Sequence, residues 1–420
     1  MARPTKSRRK RGPSIADPAR AIVAVLAGLL IAALLALQSI SSVTTRRAPD
    51  LAVSLMPLNG LAKEQLAARQ FTGGVTKADE VVPSAKAATP SASGAFAGEA
   101  LTPKAIAILA LASADPAQRD RILAAATSLN RRDLLLQGLV LEEQVKARDY
   151  AGSLATLDRL MRVHPEQKPA LFPLLQRALS EDDAIPAFAE ILDGSSDWHD
   201  DFLEFAVRDP ASLAGLASLR ESGDVGSEEF ERRLIQGLAD NGQVDRAYSL
   251  FQLASGKSAA RGTAGPIDWQ ADYAPFDWRF ADEGGFRAQQ GRFEEQAEIY
   301  VRGGKGGLIA DRLIRAPAGR FAIRATHRIQ PVDQVRDVRL QLRCAGSETP
   351  FFDERFGRGE NLFEVGSAPA GCEFMSVGIQ ARAWSGRSAL RGTIDRLEIV
   401  TLAARPEPAA AETEEASGDE

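Results

Sequence analysis

The stretch VRLQLRC, residues 338–344, decides the fold of the C-terminal part of this chain. Its apolar and polar side chains alternate, so Leu340, Leu342 and Cys344 share one face of a strand while Arg339 and Arg343 share the other. A strand with one apolar face needs a second layer that covers this face. The pattern therefore predicts an antiparallel sheet that is buried on one side.

The same period of two recurs on both sides of this stretch. Further strand-like segments lie at 276–280, 295–301, 321–326, 361–365, 375–379 and 393–402. About eight strands with no helical run between them predict an antiparallel β-sandwich over residues 266–402. Residues 403–420 hold one arginine and six acidic residues, which predicts an acidic, disordered tail.

Residues 101–258 show a helical period instead. Apolar side chains recur every three or four positions, and prolines divide the region into helices of about 12–15 residues. The segments 148–165 and 241–251 resemble the second helix of a tetratricopeptide repeat, and the first of them ends in the proline typical of that repeat. We expect an α-helical hairpin array with tetratricopeptide-like repeats.

Residues 44–100 are predicted to form a short helical segment, which begins near Asn59, followed by a flexible linker. From Thr72 to Ala100, 20 of 29 positions are Ala, Ser, Thr, Gly or Pro. Such a composition buries too little apolar area to offset the conformational entropy lost on ordering. The linker is expected on this ground.

The N-terminus combines a basic block with an apolar run. Residues 21–43 would span about 34 Å as a helix, enough to cross a hydrocarbon core of about 30 Å. Basic residues within 1–20 favour the cytoplasmic side for this tail. We expect a single-pass protein of the cell inner membrane, with its N-terminus in the cytoplasm and its bulk in the periplasm. A cleavable signal peptide is the alternative.

The chain has two cysteines, Cys344 and Cys372, and both fall in strand-like parts of the predicted sandwich. Export would place them in an oxidising compartment, where disulfides persist. We therefore expect a Cys344–Cys372 disulfide. Two separate buried thiols are the alternative, and no histidine lies at a spacing typical of a metal site.

Charge and motifs exclude some classes of function. Lys and Arg total 51 against 56 Asp and Glu, and nine of the basic residues lie within residues 1–47. The acidic remainder repels phosphate backbones, so we do not expect a nucleic acid ligand. We find no nucleophile elbow, zinc-binding helix or dinucleotide loop, and we expect no enzyme, cofactor or metal. A hydrolase of envelope polymers without a recognisable motif is the catalytic alternative.

Two tryptophans are candidate glycan-stacking residues, Trp269 and Trp384. Sugar rings present apolar C–H faces that stack on aromatic side chains, so a sandwich with an exposed tryptophan can bind a glycan. The alternative is that these rings pack in the core or in a loop.

The order of elements and three short motifs resemble a group of bacterial single-pass envelope proteins with degenerate tetratricopeptide-like repeats. The motifs are PFDW at 275–278, PAGRF at 317–321 and the spaced cysteine pair. Proteins of this group are often associated with exopolysaccharide or capsule assembly, so the resemblance implies a role in envelope polysaccharide export or assembly.

The fold class that we expect is α+β and multidomain: a transmembrane helix, a helical hairpin array and a C-terminal antiparallel sandwich. The expected function is that of a non-enzymatic, membrane-anchored periplasmic scaffold. Its partners would be the lipid bilayer, envelope assembly proteins and a polysaccharide. A glycan-binding protein that uses the sandwich is the alternative.

Overall fold

The computed structural model describes residues 18–256, 264–292 and 295–403, which fall into two compact units, Met1–Gln167 and Lys168–Glu420. The α+β layout is confirmed, because an apolar N-terminal helix and further helices precede antiparallel sheets. The basic tail before Pro18 and the acidic tail after Ala403 lie outside the described residues.

Helices make up the described part of the first unit. They are α1 Pro18–Thr44, α2 Pro49–Leu55, α3 Gly60–Gly73, α4 Val81–Gly98, α5 Pro103–Ala112, α6 Pro116–Leu129, α7 Leu134–Lys146 and α8 Tyr150–Val163. Helix α1 has a mean hydropathy of 2.6 and exposes its apolar side chains. By length and composition it can cross a membrane.

The C-terminal end of α1 is tied to the two helices that follow. Ser41 is only 1% exposed, and its hydroxyl donates to the carbonyl of Ala52 at 3.1 Å. The Asn59 amide donates to the Ser41 hydroxyl at 2.8 Å, and the Asn59 side-chain oxygen accepts from the N–H of Ala62 at the start of α3. The last turn of α1 is therefore part of the folded unit.

The prediction of a flexible linker within residues 44–100 is wrong for Val81–Gly98, because this segment forms α4. Four alanines spaced three and four residues apart are fully buried on one stripe of this helix: Ala85, Ala88, Ala92 and Ala95. Alanine has the highest helix propensity, and its small side chain lets neighbouring helices approach closely. A Cβ atom at Gly98 would lie 3.1 Å from the carbonyl oxygen of Leu58, which shows how close this approach is.

The second unit begins with six helices. They are α9 Lys168–Ala178, α10 Ile185–Ile191, α11 Asp197–Ala206, α12 Leu213–Ser222, α13 Glu228–Asp240 and α14 Val244–Ser255. Helical hairpins form at both segments that resemble tetratricopeptide helices, α7–α8 in the first unit and α13–α14 in the second. Gly242 connects α13 to α14 with a φ of +79°, a value that favours glycine. The repeat family itself stays a resemblance.

Twelve strands follow in the described residues. They are β1 Gly265–Pro266, β2 Arg279–Phe280, β3 Asp282–Glu283, β4 Phe286–Gln290, β5 Ala297–Val301, β6 Lys305–Arg315, β7 Arg320–His327, β8 Val338–Cys344, β9 Phe352–Arg355, β10 Glu360–Ser367, β11 Phe374–Ala383 and β12 Leu390–Thr401. The first sheet has the order β10-β7-β12-β5-β4-β3, with β1 paired to β12. The second has the order β2-β6-β11-β8-β9.

The two sheets share one apolar core, as expected for a sandwich. Leu340 and Ile379 of the second sheet and Ile323 and Leu397 of the first are fully buried in the same cluster. Helix α14 also packs on the sandwich, because Tyr248 contacts the rings of Phe276 and Phe374 edge to face. The predicted division at 258–266 thus falls inside the second unit.

The expected disulfide between Cys344 and Cys372 is present, with the two Cα atoms 5.3 Å apart. It joins the end of β8 to the turn before β11, and Cys372 packs against the shared core. The two cysteines are 28 positions apart in the sequence, and the bond closes the loop between them.

Removal of this bond should destabilise the sandwich. The double variant Cys344→Ser/Cys372→Ser is expected to lose about 3–4 kcal/mol of unfolding free energy, because the unfolded chain regains the entropy of the open loop. Urea unfolding of the detergent-solubilised protein, followed by tryptophan fluorescence, measures the change. A reductant should lower the midpoint of the wild type and leave the variant unaffected, whereas equal midpoints for oxidised wild type and variant would contradict the prediction.

Glu64 of α3 offers a second test, in the first unit. Its side chain is 4% exposed and its carboxylate accepts a hydrogen bond from the N–H of Lys104 at 2.8 Å, at the start of α5. Burial raises the pKa of Glu64 above its usual value of 4.5, although the N–H groups of Lys104 and Ala105 act in the opposite direction. The folded state therefore binds the Glu64 proton more tightly than the unfolded chain does. As a result, ionisation of Glu64 lowers the free energy of unfolding as the pH rises above 4.5.

We expect Glu64→Leu to leave the N–H of Lys104 without its acceptor and to cost about 1–3 kcal/mol. Glu64→Gln keeps an acceptor and removes the charge, so it should match or exceed the wild type at neutral pH. Amide hydrogen exchange of residues 103–112 measures both effects. Equal protection in the leucine and glutamine variants would refute this role of Glu64.

Candidate functional site

The two candidate tryptophans lie in different surroundings. Trp269 is 1% exposed, and its ring stacks on that of Trp278 with the centroids 4.6 Å apart. The N–H of Ile267 donates to the carbonyl of Leu397 in β12, which draws this segment into the core. A buried ring has no free face for a sugar, so the candidate glycan-stacking role of Trp269 is wrong.

Trp384, in contrast, is 51% exposed and directly follows β11. The turn that contains it is closed by the N–H of Arg387, which donates to the carbonyl of Trp384 at 3.0 Å. The N–H of Gly304 donates to the carbonyl of the preceding Ala383 at 2.7 Å. These backbone bonds hold the exposed indole at the end of β11, the central strand of the second sheet.

One face of this indole is covered by an arginine. The guanidinium carbon of Arg382 lies 4.3 Å from the centroid of the Trp384 ring, a cation–π contact. The contact orients the ring, while half of the tryptophan stays accessible. The exposed part of the ring is available for stacking.

Trp384 borders a cavity of about 350 Å³ on the outward face of the second sheet, which we call the Trp384 cavity. Its longer polar side chains are those of Arg336, Asp337, Arg339, Arg355, Gln380 and Arg382. The first two belong to the 3₁₀ turn Val332–Asp337 that precedes β8, and the others lie on strands.

Strand register brings the strand residues together. Gln380 of β11 pairs with Arg339 of β8, which in turn pairs with Arg355 of β9. Because Ala381 is buried, alternation along β11 turns Gln380 and Arg382 outward. Four of the six polar residues are thus placed by the pleat and pairing of three strands.

A glycine fixes one edge of the cavity. Gly306 of β6 lies opposite Arg382 of β11, and a Cβ atom there would come within 2.5 Å of the carbonyl oxygen of Ala381. Only glycine fits this close approach of the two strands. The sequence predicts no strand at this position, because the glycine-rich stretch 303–307 is typical of a loop.

The cavity carries more positive than negative charge. Arg339 donates to the carboxylate of Asp353 at 2.6 Å, and this hydrogen bond raises the pKa of the guanidinium. Within the described part of the chain, Arg336, Arg355 and Arg382 make no salt bridge, and all three are exposed. Three cationic groups therefore face solvent beside the accessible indole.

The sequence predicts Trp384 as a candidate glycan-stacking residue, but it does not predict the arginines that lie beside it. The alternation in 338–344 predicts that Arg339 faces outward, but it does not predict which outward residues meet across β11, β8 and β9. That information lies in the register of strands that are far apart in sequence.

No family model matches the chain, and no curated protein matches it. Among solved structures, the chain is similar to TmCBM61, a carbohydrate-binding module in complex with β-1,4-galactotriose. The similarity covers 30% of this chain and 88% of that chain, with 12% sequence identity and a TM-score of 0.21. A similarity of this degree carries no conclusion about the function of the chain.

The two tryptophans should respond differently to truncation. Trp269→Ala is expected to cost about 3–5 kcal/mol of unfolding free energy, because it opens a cavity in the core. Trp384→Ala should change stability by no more than about 0.5 kcal/mol, since the ring is half exposed. Urea midpoints of the two variants, measured in parallel, test this difference, and similar losses in both would contradict the assignment of Trp384 to a surface role.

Proposed function

We propose that this chain is a membrane-tethered glycan-binding protein whose C-terminal sandwich holds a sugar in the Trp384 cavity. The observation that carries the proposal is the half-exposed indole of Trp384, held on a turn that backbone hydrogen bonds anchor. The C–H face of a sugar ring would stack on this indole, and neighbouring polar side chains would hydrogen-bond its hydroxyl groups. A pre-ordered surface lowers the entropy lost on binding.

Binding fits the cavity better than hydrolysis does. Most glycoside hydrolases place two carboxyl groups on either side of the scissile bond. The lining of the Trp384 cavity contains one carboxyl group, that of Asp337, among several arginines. We therefore propose a non-enzymatic role for this site.

We further propose that α1 remains as an anchor and that the rest of the chain lies in the periplasm. A signal peptidase cleaves after a small-x-small sequence, and Ser39-Ile40-Ser41 is the nearest candidate. It ends in the buried Ser41, which is hydrogen-bonded to Ala52 and Asn59. Cleavage there would break this packed junction. The disulfide supports the location, because such bonds persist in oxidising compartments.

The helices support a second proposed function, as a scaffold for envelope assembly proteins. Stacked helical hairpins form extended surfaces that bind other proteins. In the first unit, α6, α7 and α8 line a groove of about 550 Å³ that includes Leu123, Val140 and Arg159. The resemblance to envelope proteins is the ground on which we propose that such partners belong to exopolysaccharide or capsule assembly.

Affinity electrophoresis tests the glycan proposal. The detergent-solubilised protein is run through gels that contain one of a panel of neutral or acidic polysaccharides. We expect at least one polysaccharide to retard the wild type and Trp384→Ala to weaken the binding about five- to tenfold, since stacking on an aromatic ring contributes about 1–1.4 kcal/mol.

Tyr300→Ala is the matched control, because Tyr300 is an exposed aromatic residue on β5 of the other sheet. Retardation should be unchanged in this variant. The proposal fails if no polysaccharide retards the protein, or if the loss follows Tyr300 and not Trp384.

A further inference from the structure

We propose that the ligand of the Trp384 cavity is an acidic glycan, whose sugar rings carry carboxylate groups. This inference rests on the proposed glycan-binding function and adds the chemical class of the ligand. It follows from the charge of the cavity, from the freedom of its arginines and from their position beside the indole.

The Trp384 cavity differs in charge from the protein as a whole. The chain has a formal net charge of −5, and its Asp and Glu outnumber its Lys and Arg. The six longer polar side chains of the Trp384 cavity nevertheless include four arginines and one aspartate. A cluster of one sign in a cleft raises the local concentration of the opposite ion, so the cavity attracts anions although the chain as a whole carries a net negative charge.

The arginines of the cavity differ in whether an acidic side chain of the protein occupies them. Arg339 is occupied by Asp353, with a distance of 2.6 Å between Nε and the carboxylate oxygen. Over the described ranges, no salt bridge engages Arg336, Arg355 or Arg382. A guanidinium binds a carboxylate through two parallel hydrogen bonds, and this geometry is the strongest contact that these side chains offer a sugar. A neutral sugar would leave that capacity unused.

A positive charge and a surface for stacking lie side by side in the cavity. Arg382 lies 4.3 Å from the centroid of the Trp384 ring, so a cation and an aromatic surface are joined at one edge of the cavity. In a hexuronate the carboxylate carbon is attached directly to the sugar ring that would stack. Arg355 and Gln380 flank Arg339 in the register of the second sheet, which extends the polar surface away from the indole. In a chain of uronate residues, one ring could stack on Trp384 while the carboxylates of its neighbours contact the arginines.

Nucleic acids and anionic lipid headgroups are also anions, but they fit less well. Both present rows of phosphates, whose binding proteins use broad basic surfaces. By contrast, the Trp384 cavity places four arginines in one site of about 350 Å³ beside an exposed indole. We therefore assign the cavity to a carboxylate-bearing glycan and treat the other anions as outcomes of the test.

The experiment compares two ligands that differ only in charge, β-1,4-linked hexamannuronate and β-1,4-linked mannohexaose. The first carries a carboxylate at C6 where the second carries a hydroxymethyl group. Titration of the detergent-solubilised full-length protein, followed calorimetrically, should show hexamannuronate to bind at least about tenfold more tightly. This preference should weaken as salt is added, because exposed charges are screened.

The variant Arg336→Gln/Arg355→Gln tests the source of the preference and leaves the contact between Arg382 and Trp384 in place. We expect the preference for hexamannuronate to fall severalfold, and the affinity for mannohexaose to change less, because a neutral sugar forms no ion pair with these arginines. Arg324→Gln/Arg396→Gln is the matched control, since it removes the same charge from β7 and β12 of the other sheet. The preference should persist in this control. Should the first variant misfold, the salt series on the wild type still measures the charge dependence.

The outcomes separate this inference from the function on which it rests. Binding of both oligosaccharides with equal affinity, lost in Trp384→Ala, would overturn the acidic ligand and keep the glycan site. Equally tight binding of single-stranded DNA or of anionic vesicles would overturn the assignment to a glycan carboxylate. Absence of binding to any glycan would overturn both proposals.

Discussion

The alternation of side chains across two sheets that share one core is the constraint on which the C-terminal structure depends. Leu340 and Ile379 can be buried between the sheets only if their neighbours along β8 and β11 point to the opposite face of the sheet. Arg339 and Gln380 are such neighbours. The apolar core and the polar cavity are thus two faces of the same strands, and a one-residue slip of register would destroy both.

The helices around α4 obey a different constraint, the close approach of small side chains. The buried stripe of alanines on α4 allows tight contact with α3 and α5, which larger side chains would prevent. Helix α1 is the exception, because its apolar surface is not covered by the described residues of the chain. Exposure of an apolar surface of this size to water is unfavourable, and a lipid bilayer would cover it.

The sequence predicted those features whose cause is local. The bounds of β8 follow from the alternation in 338–344, and the apolar run from 21 to 43 predicts α1. The failures have non-local causes. Helix α4 is not predicted from the sequence, because an alanine-rich composition also fits a flexible chain and the burial of these alanines depends on α3 and α5. Trp269 is buried because its segment pairs with β12, and the arginines of the Trp384 cavity meet only through strand pairing.

The location of the second unit outside the cytoplasm is the claim that connects the anchor, the disulfide and the proposed ligand. The most direct test is a fusion of alkaline phosphatase after Thr401, the last residue of β12, because this reporter is active only after export. Our account predicts an active, membrane-associated fusion that retains its N-terminal segment. An inactive reporter at normal expression would contradict the topology, and with it the role in binding an envelope glycan.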